Sequence, residues 1–288
     1  MTSNKTQNSI GFAAIQMSAV PEKKEANIAK AEALIEEAVA RYHPAIVGLP
    51  ELFSTEFFPL TKNRKYFRYA EPIPGPTTDR IGKLARRLRV SVIAPIFESF
   101  RGKYYDSSPV IGPSGSVVGI TRKTEIPLVE WRHGRNWNLN YEKFYFSQGN
   151  KNPVITAGRA RLGQLICYSR HFPEGWRTLE LKGAQIIYAP SASNGPVLGE
   201  LFPLETRALA FMHQCFAVVV NRVGKERSYK YYGGTHIVDP FGKIIAGPAR
   251  DNETIVYAAL DLSLVAKARK QVPFMRDRRP DLYLTGKK

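Results

Sequence analysis

The sequence predicts an α/β protein with mixed β-sheet. Short apolar segments of strand length alternate along the chain with longer segments in which apolar residues recur at helical spacing. Two further pairs of apolar segments are joined by short turn sequences, which predicts antiparallel hairpins. Because strand–helix alternation gives parallel pairs and hairpins give antiparallel pairs, the sheet that results is mixed.

The first half of the chain supplies two helices, three strands and one hairpin. Thr77 and Thr78 are suited to cap the second helix, and Gly112 to Gly115 are suited to the turn of the hairpin. The predicted elements are a strand over 10–20, a helix over 22–42, a strand over 45–49, a helix from 77 to about 89, a strand over 90–97 and a hairpin over 104–122.

The second half repeats this alternation. Gly183 is expected just after the end of its first helix, and residues 239–242 form the turn of its hairpin. The predicted elements are a strand over 161–166, a helix over 176–182, a strand over 184–189, a helix over 204–213, a strand over 216–221 and a hairpin over 232–246.

Composition limits the classes of function. With 43% hydrophobic and 23% charged residues in 288, the chain has the composition of an ordinary globular protein. Two cysteines do not make a disulfide framework, and no spacing of cysteine and histidine is typical of a metal site. The polar start of the chain and the absence of a long apolar run predict a cytoplasmic protein with no membrane partner.

The formal net charge of +17 is the one unusual feature of the composition. The basic residues are spread along the chain, and no nucleic-acid-binding motif accompanies them. This distribution favours a solvated surface, or attraction of anionic substrates, over a nucleic-acid partner.

Cys167 stands where an apolar segment ends and a helical segment begins. Backbone N–H groups and the dipole at the start of a helix favour a thiolate, the reactive form of cysteine. This placement predicts a nucleophile, with a packed core cysteine as the alternative. Cys215 lies inside an apolar segment, and we expect it to be a core residue.

Glu51 and Lys123 could assist such a nucleophile. Each follows a predicted strand, and ligands of open α/β sheets gather at strand ends. A partly desolvated carboxylate can take the proton of a thiol, and an ammonium can stabilise the negative oxygen of a tetrahedral intermediate. Taken singly, a surface glutamate paired with an arginine and a solvated lysine are the alternatives.

Three segments in this order resemble the nitrilase superfamily of carbon–nitrogen hydrolases. They are PELF at 50–53, RKTEIP at 122–127 and ICYSRHFPE at 166–174. The likeness extends from about residue 10 to residue 282. It implies that Glu51, Lys123 and Cys167 form a Glu–Lys–Cys triad.

The resemblance also implies a fold and an assembly. The fold is a four-layer αββα sandwich, with two mixed β-sheets flanked by helices, in a single domain over 1–288. Its core lies at about 10–262, and 263–288 form a C-terminal extension at subunit contacts. Subunits pair through outer helices into a homodimer or a larger homo-oligomer. The chemistry proceeds through a covalent cysteine intermediate, with no cofactor and no metal.

Four further residues receive roles from the resemblance. Glu142 is expected to hold Lys123 or the leaving amine, and the backbone N–H of Tyr168 is expected in the oxyanion hole. A Cys–His pair with His171 is a competing arrangement, but the family gives the base role to a glutamate, which leaves His171 a role in specificity. Asn194 is a further candidate for the substrate pocket.

Arg170 is the residue that best discriminates between substrates. In the branch of β-ureidopropionases and N-carbamoyl amino acid amidohydrolases, which this sequence most resembles, an arginine at this place binds the substrate carboxylate. The expected reaction is therefore hydrolysis of N-carbamoyl amino acids to ammonia, carbon dioxide and an amine. N-carbamoylputrescine, another small amide or a nitrile stay open as substrates, as does a structural salt bridge for Arg170. Residues 128–140 are expected to border the pocket or a subunit contact.

Overall fold

The computed structural model describes residues 8–127, 129–133 and 136–283. The strands, in chain order, are β1 (Ser9–Gln16), β2 (Ile46–Gly48), β3 (Ser91–Ile93), β4 (Ile96–Phe100), β5 (Lys103–Ile111), β6 (Val117–Arg122), β7 (Val129–His133), β8 (Asn136–Asn140), β9 (Val154–Ala157), β10 (Ala160–Gln164), β11 (Ile186–Ser191), β12 (Phe216–Asn221), β13 (Val223–Glu226), β14 (Tyr229–Tyr232), β15 (His236–Val238), β16 (Ile244–Ala246) and β17 (Thr254–Asp261). The α-helices are α1 (Lys24–Tyr42), α2 (Pro76–Leu88), α3 (Glu142–Tyr145), α4 (Pro173–Leu181), α5 (Pro196–His213) and α6 (Ser263–Gln271). Short 3₁₀ turns span Phe58–Leu60, Arg64–Tyr69, Cys167–His171 and Pro280–Leu282.

Two large sheets contain parallel strands at their centres and antiparallel strands at their edges. The first has the order β17-β1-β2-β3-β5-β4, with β6 beside β5, and β1, β2 and β3 are parallel. The second has the order β16-β15-β12-β11-β10-β9, and β10, β11 and β12 are parallel. The predicted mixed pairing is confirmed.

The sheets pack face to face with helices outside them. Phe12 and Ile46 of the first sheet meet Ile186 and Val218 of the second in a central apolar core. Helices α1 and α2 cover the outer face of the first sheet, and α4 and α5 cover that of the second. The predicted four-layer αββα architecture is therefore confirmed.

Gly48 allows the two sheets to approach closely beside the segment that carries Glu51. A Cβ atom at this position would lie 2.5 Å from the ring of Tyr188 in the opposite sheet. The Tyr188 hydroxyl donates a hydrogen bond to the carbonyl of Leu49. The second sheet thus supports the segment that leads from β2 to Glu51.

Prolines account for two wrong boundaries. The strand predicted over 90–97 is divided into β3 and β4, because Pro95 between them has no N–H to pair. Helix α5 begins at Pro196 rather than at 204, and Pro203 lies inside it. A proline usually interrupts a helix, so the sequence predicts that this helix begins after Pro203.

The predicted hairpins over 104–122 and 232–246 are confirmed as β5–β6 and β15–β16. Two others were not predicted. Residues 128–140, for which no secondary structure was predicted, contain the antiparallel pair β7–β8, although Leu128, Gly134 and Arg135 lie outside the described residues. The second unpredicted hairpin is β13–β14.

The cap of α2 and the packing of α6 also differ from expectation. The N-cap residue of α2 is Gly75, whose N–H donates to the hydroxyl of Thr78 from within the helix at 2.8 Å. Val265 and Ala268 of α6 are buried, so the packed part of the chain continues past residue 262. Within the described ranges, no helix combines the length and apolar character that a bilayer crossing requires.

Candidate active site

Cys167 occupies an unusual backbone conformation at the end of β10. The chain enters a 3₁₀ turn at Cys167, whose φ of 48° lies in the left-handed region. Non-glycine residues adopt that region at an energetic cost, and such residues concentrate at functional sites. The N–H groups of the first residues of a helical turn, here including that of Tyr168, have no acceptor within the turn.

Polar groups surround the buried Cys167 side chain on the second-sheet side. Its Sγ lies 3.9 Å from Oγ of Ser193. Nη1 of Arg170 donates to the Cys167 carbonyl at 3.0 Å and to Ser193 Oγ at 3.3 Å. The guanidinium thus lies beneath the turn that carries the thiol.

Glu51, Lys123 and Glu142 form a buried cluster on the first-sheet side. Nζ of Lys123 donates to Glu51 Oε1 at 2.7 Å and to Glu142 Oε2 at 2.6 Å. The Cys167 thiol neighbours this cluster, since the charges of Glu51 and Lys123 both act on its pKa. The structure therefore brings together the four residues that the sequence predicted to be catalytic.

Two neighbours hold this cluster in place, one at the Glu142 carboxylate and one at the Glu51 backbone. Asn140, the last residue of β8, donates from Nδ2 to Glu142 Oε1 at 2.9 Å and accepts from the Glu142 N–H at 2.9 Å. Arg222 donates from Nε and Nη2 to the Glu51 carbonyl at 3.0 and 2.8 Å. Its Nη1 bonds Glu226 at 2.5 Å.

The cluster keeps opposite charges in place despite complete burial. Burial would lower the pKa of Lys123, but the Glu142 and Glu51 carboxylates outweigh it and hold that pKa well above its usual range. Burial would likewise raise the pKa of Glu51, but the Lys123 ammonium keeps it below its ordinary value. Burial raises the pKa of Glu142, which Lys123 only partly opposes. Glu51 is therefore the ionised carboxylate beside the thiol.

The expected thiolate at Cys167 is wrong for the free enzyme. Burial raises the pKa of this thiol to about 12, and the neighbouring Glu51 carboxylate adds to the rise, while Lys123 and Arg170 oppose it. The start of a helical turn and a nearby cation favour a thiolate, but burial and the Glu51 carboxylate outweigh them and raise the pKa. A protonated thiol needs a base, and Glu51 is the group in position to act as one.

Asp106 is a residue of the cluster that the sequence did not single out. It lies on β5, where its carbonyl accepts from the Lys123 N–H at 2.9 Å and its Oδ2 lies 3.5 Å from Lys123 Nζ. Glu51, Asp106 and Glu142 present oxygens within 4.8 Å of one another, a spacing that could suit a metal ion. The Lys123 ammonium already lies among these oxygens, so the three carboxyls surround an organic cation instead.

The predicted substrate-binding residues lie around the nucleophile turn. Nδ1 of His171 bonds Glu205 at 2.5 Å, and its ring meets that of Tyr168 edge to face. This pairing directs His171 to a carboxylate and not to the thiol. Asn194 is half-buried and forms a backbone bridge with Tyr231 on β14. Their roles in substrate binding stay predictions.

Tyr231 and Tyr232 also reach the site and were missed by the sequence analysis. Each hydroxyl is buried and has no hydrogen-bond partner among the described residues. Burial raises the pKa of both; the Glu226 carboxylate adds to the rise at Tyr231, and the Arg170 guanidinium opposes it at Tyr232. The unpredicted hairpin β13–β14 is what brings these two tyrosines to the site.

The fold and the thiol–carboxylate–ammonium set define a class of enzyme, the hydrolases of non-peptide carbon–nitrogen bonds. The carbon–nitrogen hydrolase family model matches residues 12–270. The chain belongs to this family, and the resemblance to the nitrilase superfamily is confirmed.

Individual relatives cover nearly the whole chain. N-carbamoylputrescine amidase of Arabidopsis thaliana is 32% identical over 273 residues, which cover 89% of this chain and 88% of that protein. Omega-amidase NIT2 of Xenopus tropicalis is 33% identical over 280 residues, covering 95% and 96%. Among solved structures, a carbon–nitrogen hydrolase of Helicobacter pylori G27 matches with a TM-score of 0.88 and 28% identity, over 96% of this chain and 97% of that one. The chain is an amidase-type carbon–nitrogen hydrolase.

Proposed function

We propose that the enzyme hydrolyses N-carbamoyl amino acids similar to N-carbamoyl-β-alanine, with Cys167 as nucleophile. The observation that carries the substrate class is the guanidinium of Arg170 beside the nucleophile turn. Its Nε makes no hydrogen bond among the residues described, only a longer ion pair of 3.5 Å with Oε2 of Glu205, so donor capacity remains for a substrate carboxylate. The basic surface, with a net charge of +17, would favour the approach of such anions.

The first half of the reaction forms a thioester-like intermediate. Sγ of Cys167 attacks the carbamoyl carbon while its proton passes to Glu51. Negative charge develops on the carbonyl oxygen, where the Lys123 ammonium and the Tyr168 N–H stabilise it; each well-placed donor contributes about 3 kcal/mol. The tetrahedral intermediate then breaks its C–N bond, and Glu51 returns the proton to the departing ammonia.

The second half of the reaction hydrolyses the intermediate. A water molecule gives a proton to Glu51 as its oxygen attacks the same carbon. The S–C bond then breaks, and Glu51 returns that proton to the sulfur, which regenerates the thiol and the ionised Glu51. The carbamic acid that leaves decomposes to carbon dioxide and the free amino acid. Glu142 holds Lys123 in place through both halves. This scheme uses neither a metal nor an organic cofactor.

A second candidate substrate is N-carbamoylputrescine. Glu205 lies beside Arg170, with 3.5 Å between its Oε2 and Nε of the arginine, and its side chain is 22% exposed. Burial would raise the pKa of Glu205, but hydrogen bonding to His171 and the charge of Arg170 keep it below its ordinary value. An ionised carboxylate could bind the terminal ammonium of a polyamine, and relatives named N-carbamoylputrescine amidase favour this reading.

Ammonia release from a substrate panel tests the proposal. The panel contains N-carbamoyl-β-alanine, N-carbamoyl-D- and L-amino acids, N-carbamoylputrescine, glutaramate and a small neutral nitrile. We expect the highest kcat/KM for a carboxylated carbamoyl compound, with carbon dioxide as a second product, and loss of that preference in Arg170→Ala. Preference for N-carbamoylputrescine that is lost in Glu205→Gln would establish the second candidate instead.

We also propose that two copies of the chain pair through the outer face of α5. Large apolar side chains are exposed there and on the segment that follows α6: Leu201, Leu204, Phe211, Met212 and Phe274. A contiguous apolar surface on an outer helix is typical of a protein interface. Light scattering of wild type against Leu204→Glu tests it: a dimer or larger assembly that the variant dissociates is expected, and a wild-type monomer would contradict the pairing.

A cytoplasmic location stays part of the proposal. Both cysteines, Cys167 and Cys215, are free and buried, which suits a reducing compartment.

A further inference from the structure

Two carboxyl groups of the buried cluster present oxygens that accept no hydrogen bond. Across the described residues, both oxygens of Asp106 and Oε2 of Glu51 have no donor. The contact between Asp106 Oδ2 and Lys123 Nζ, at 3.5 Å, is an ion pair longer than the two hydrogen bonds of that ammonium. Both carboxyl side chains are 0% exposed. Buried carboxylate oxygens without donors are rare, because each retains the cost of its lost hydration.

The charges of the cluster do not balance if every carboxyl is ionised. Glu51, Asp106 and Glu142 would carry three negative charges around the single ammonium of Lys123. The other nearby guanidiniums are already engaged: Arg222 with Glu226 and Arg122 with Glu98. Like charges that share a buried site force one carboxyl to keep its proton.

We propose that Asp106 is a positioning residue that is protonated in the resting enzyme and donates its O–H hydrogen bond to the Glu51 carboxylate. A proton on one oxygen of Asp106 gives that oxygen a hydrogen bond to donate, and it gives an oxygen of Glu51 the donor that it lacks. It also removes one of the uncompensated charges. The proposal rests on the proposed role of Glu51 as base.

The groups around Asp106 support this assignment. The charged residues that face it are Glu51, Lys123 and Glu142. On the adjoining strands, Arg122 pairs with Glu98, which also accepts a hydrogen bond from the hydroxyl of Ser107, the next residue of β5. Burial raises the pKa of Asp106 well above its usual range, and the charge of Glu51 adds to that rise. Oxygens of Glu51 and Asp106 lie within 4.8 Å of each other, and a hydrogen bond donated by Asp106 would lower the pKa of Glu51.

The proton of Asp106 is not consumed in the reaction. The thiol proton passes from Cys167 to Glu51 and then to the departing ammonia, while Asp106 keeps its own proton throughout. With Lys123 on Oε1 and Asp106 as a second donor, the Glu51 carboxylate is fixed in orientation and stays ionised. Asp106 thereby acts on the reaction through Glu51.

Two substitutions separate the hydrogen bond from the bulk of the side chain. In Asp106→Asn an amide N–H can replace the donated O–H, whereas Asp106→Leu keeps a similar volume and has no donor. We expect kcat/KM to fall on the order of 100-fold in Asp106→Leu and by less than about 10-fold in Asp106→Asn. Ser107→Ala, on the same strand, is the control for disturbance of β5.

The pH profile of kcat/KM gives a readout that a merely structural role would not move. Without the donated hydrogen bond the pKa of Glu51 rises, so the acid limb should move to higher pH by about one unit in Asp106→Leu, and little in Asp106→Asn or Ser107→Ala. If Asp106 were ionised, both variants of it would remove a negative charge, and their acid limbs would move to lower pH. That result, or unmoved limbs in both, would overturn the proposal.

Infrared spectroscopy tests the proton directly. The wild-type minus Asp106→Asn difference spectrum at neutral pH should contain the carbonyl stretch of a protonated carboxylic acid, and its absence would refute the assignment. Glu51→Gln separates this failure from that of the proposed function. Full activity of Glu51→Gln would reject Glu51 as base, whereas an inactive Glu51→Gln with no carboxylic acid band would reject only the protonated Asp106.

Discussion

The two halves of the site are held in place by different forces. On the side of the first sheet, Glu51, Lys123 and Glu142 are fixed by hydrogen bonds of 2.6–2.7 Å between opposite charges. On the second sheet, Cys167 is fixed by a turn with φ of 48° and by a neutral contact of 3.9 Å with Ser193. The base half thus relies on paired charge, and the nucleophile half on backbone geometry. The difference fits the two roles, because a buried base must stay ionised, whereas a nucleophile must be oriented toward the substrate carbon.

A buried arginine supports the backbone of each half, and the two arginines differ in how fully they are used. Arg222 donates to the Glu51 carbonyl and pairs with Glu226. Arg170 donates to the Cys167 carbonyl and its guanidinium lies 4.4 Å from the ring of Phe202, but its Nε makes only an ion pair of 3.5 Å with Glu205 and no hydrogen bond among the described residues. The arginine on the base half is committed to structure, whereas the one on the nucleophile half retains capacity for a ligand.

Removing the thiol should have the largest effect. Cys167→Ala is expected to lower kcat at least about 10⁴-fold, because the covalent route is lost while the fold is retained. Cys215→Ala is the matched control, since Cys215 is also buried but packs in the core between α4, α5 and the second sheet. Ammonia release measures kcat of both variants, and circular dichroism checks that both fold. Comparable turnover by the two variants would contradict the role of Cys167.

Neutralising the base should have the next largest effect. Glu51→Gln keeps the volume of the side chain but cannot take the thiol proton, so kcat/KM should fall on the order of 10³-fold. In the wild type the ionised form is required, and the pKa of Glu51 lies below its ordinary value. Activity should therefore persist at neutral pH and be lost only as the pH falls through that lowered pKa. An acid limb that is unchanged in the residual activity of Glu51→Gln would assign it to another group.

Matched substitutions of the two arginines sharpen the comparison between the halves. Arg222→Lys should lower kcat about 100-fold for every substrate, because a small displacement of Glu51 is enough to misalign proton transfer. Arg170→Lys should instead raise KM about 10-fold for carboxylated substrates and much less for an uncharged amide, since the bidentate contact is lost. Steady-state kinetics on both substrate types decide this. Equal effects of the two variants on carboxylated and on uncharged substrates would show that the two arginines do not differ in substrate binding.

The contacts that each residue makes explain which parts of the site the sequence could predict. Glu51, Lys123 and Cys167 each end a strand, so local pattern and motif identified them. Asp106 lies in the middle of β5 and gains its importance only because β2, β6 and α3 bring three charged side chains to it. Distances between strands that are far apart in sequence do not appear in any local pattern.

The properties of the thiol and of the two tyrosines also depend on segments that are distant in sequence. The pKa of Cys167 depends on burial and on a carboxylate from the other sheet, neither of which follows from its neighbours in sequence. Tyr231 and Tyr232 reach the site through the hairpin β13–β14, whose turn was not recognised. The fold could be predicted further than the site, because alternation and hairpin turns are local properties.

The smallest predicted effect concerns the contact between the sheets. Gly48→Ala would place a Cβ 2.5 Å from the Tyr188 ring, and we expect a loss of about 1–3 kcal/mol in the free energy of unfolding. Gly112→Ala is the control, because the one close contact of its Cβ, at 3.0 Å, would be with a methyl of the exposed Val118, and the next atoms lie at 3.8 and 4.0 Å. Urea denaturation of both variants measures the difference. Equal stability would mean that the sheets can separate at Gly48 without cost.

The most direct test of the central claim is to trap the covalent intermediate. The enzyme is quenched in acid during turnover of a carboxylated carbamoyl or amide substrate, and its intact mass and peptide masses are measured. The account predicts an added mass equal to the substrate less ammonia, located on the peptide that contains Cys167 and absent from Cys167→Ala. Turnover with no adduct at any time, or an adduct on Cys215 instead, would contradict the assignment of Cys167 as the nucleophile.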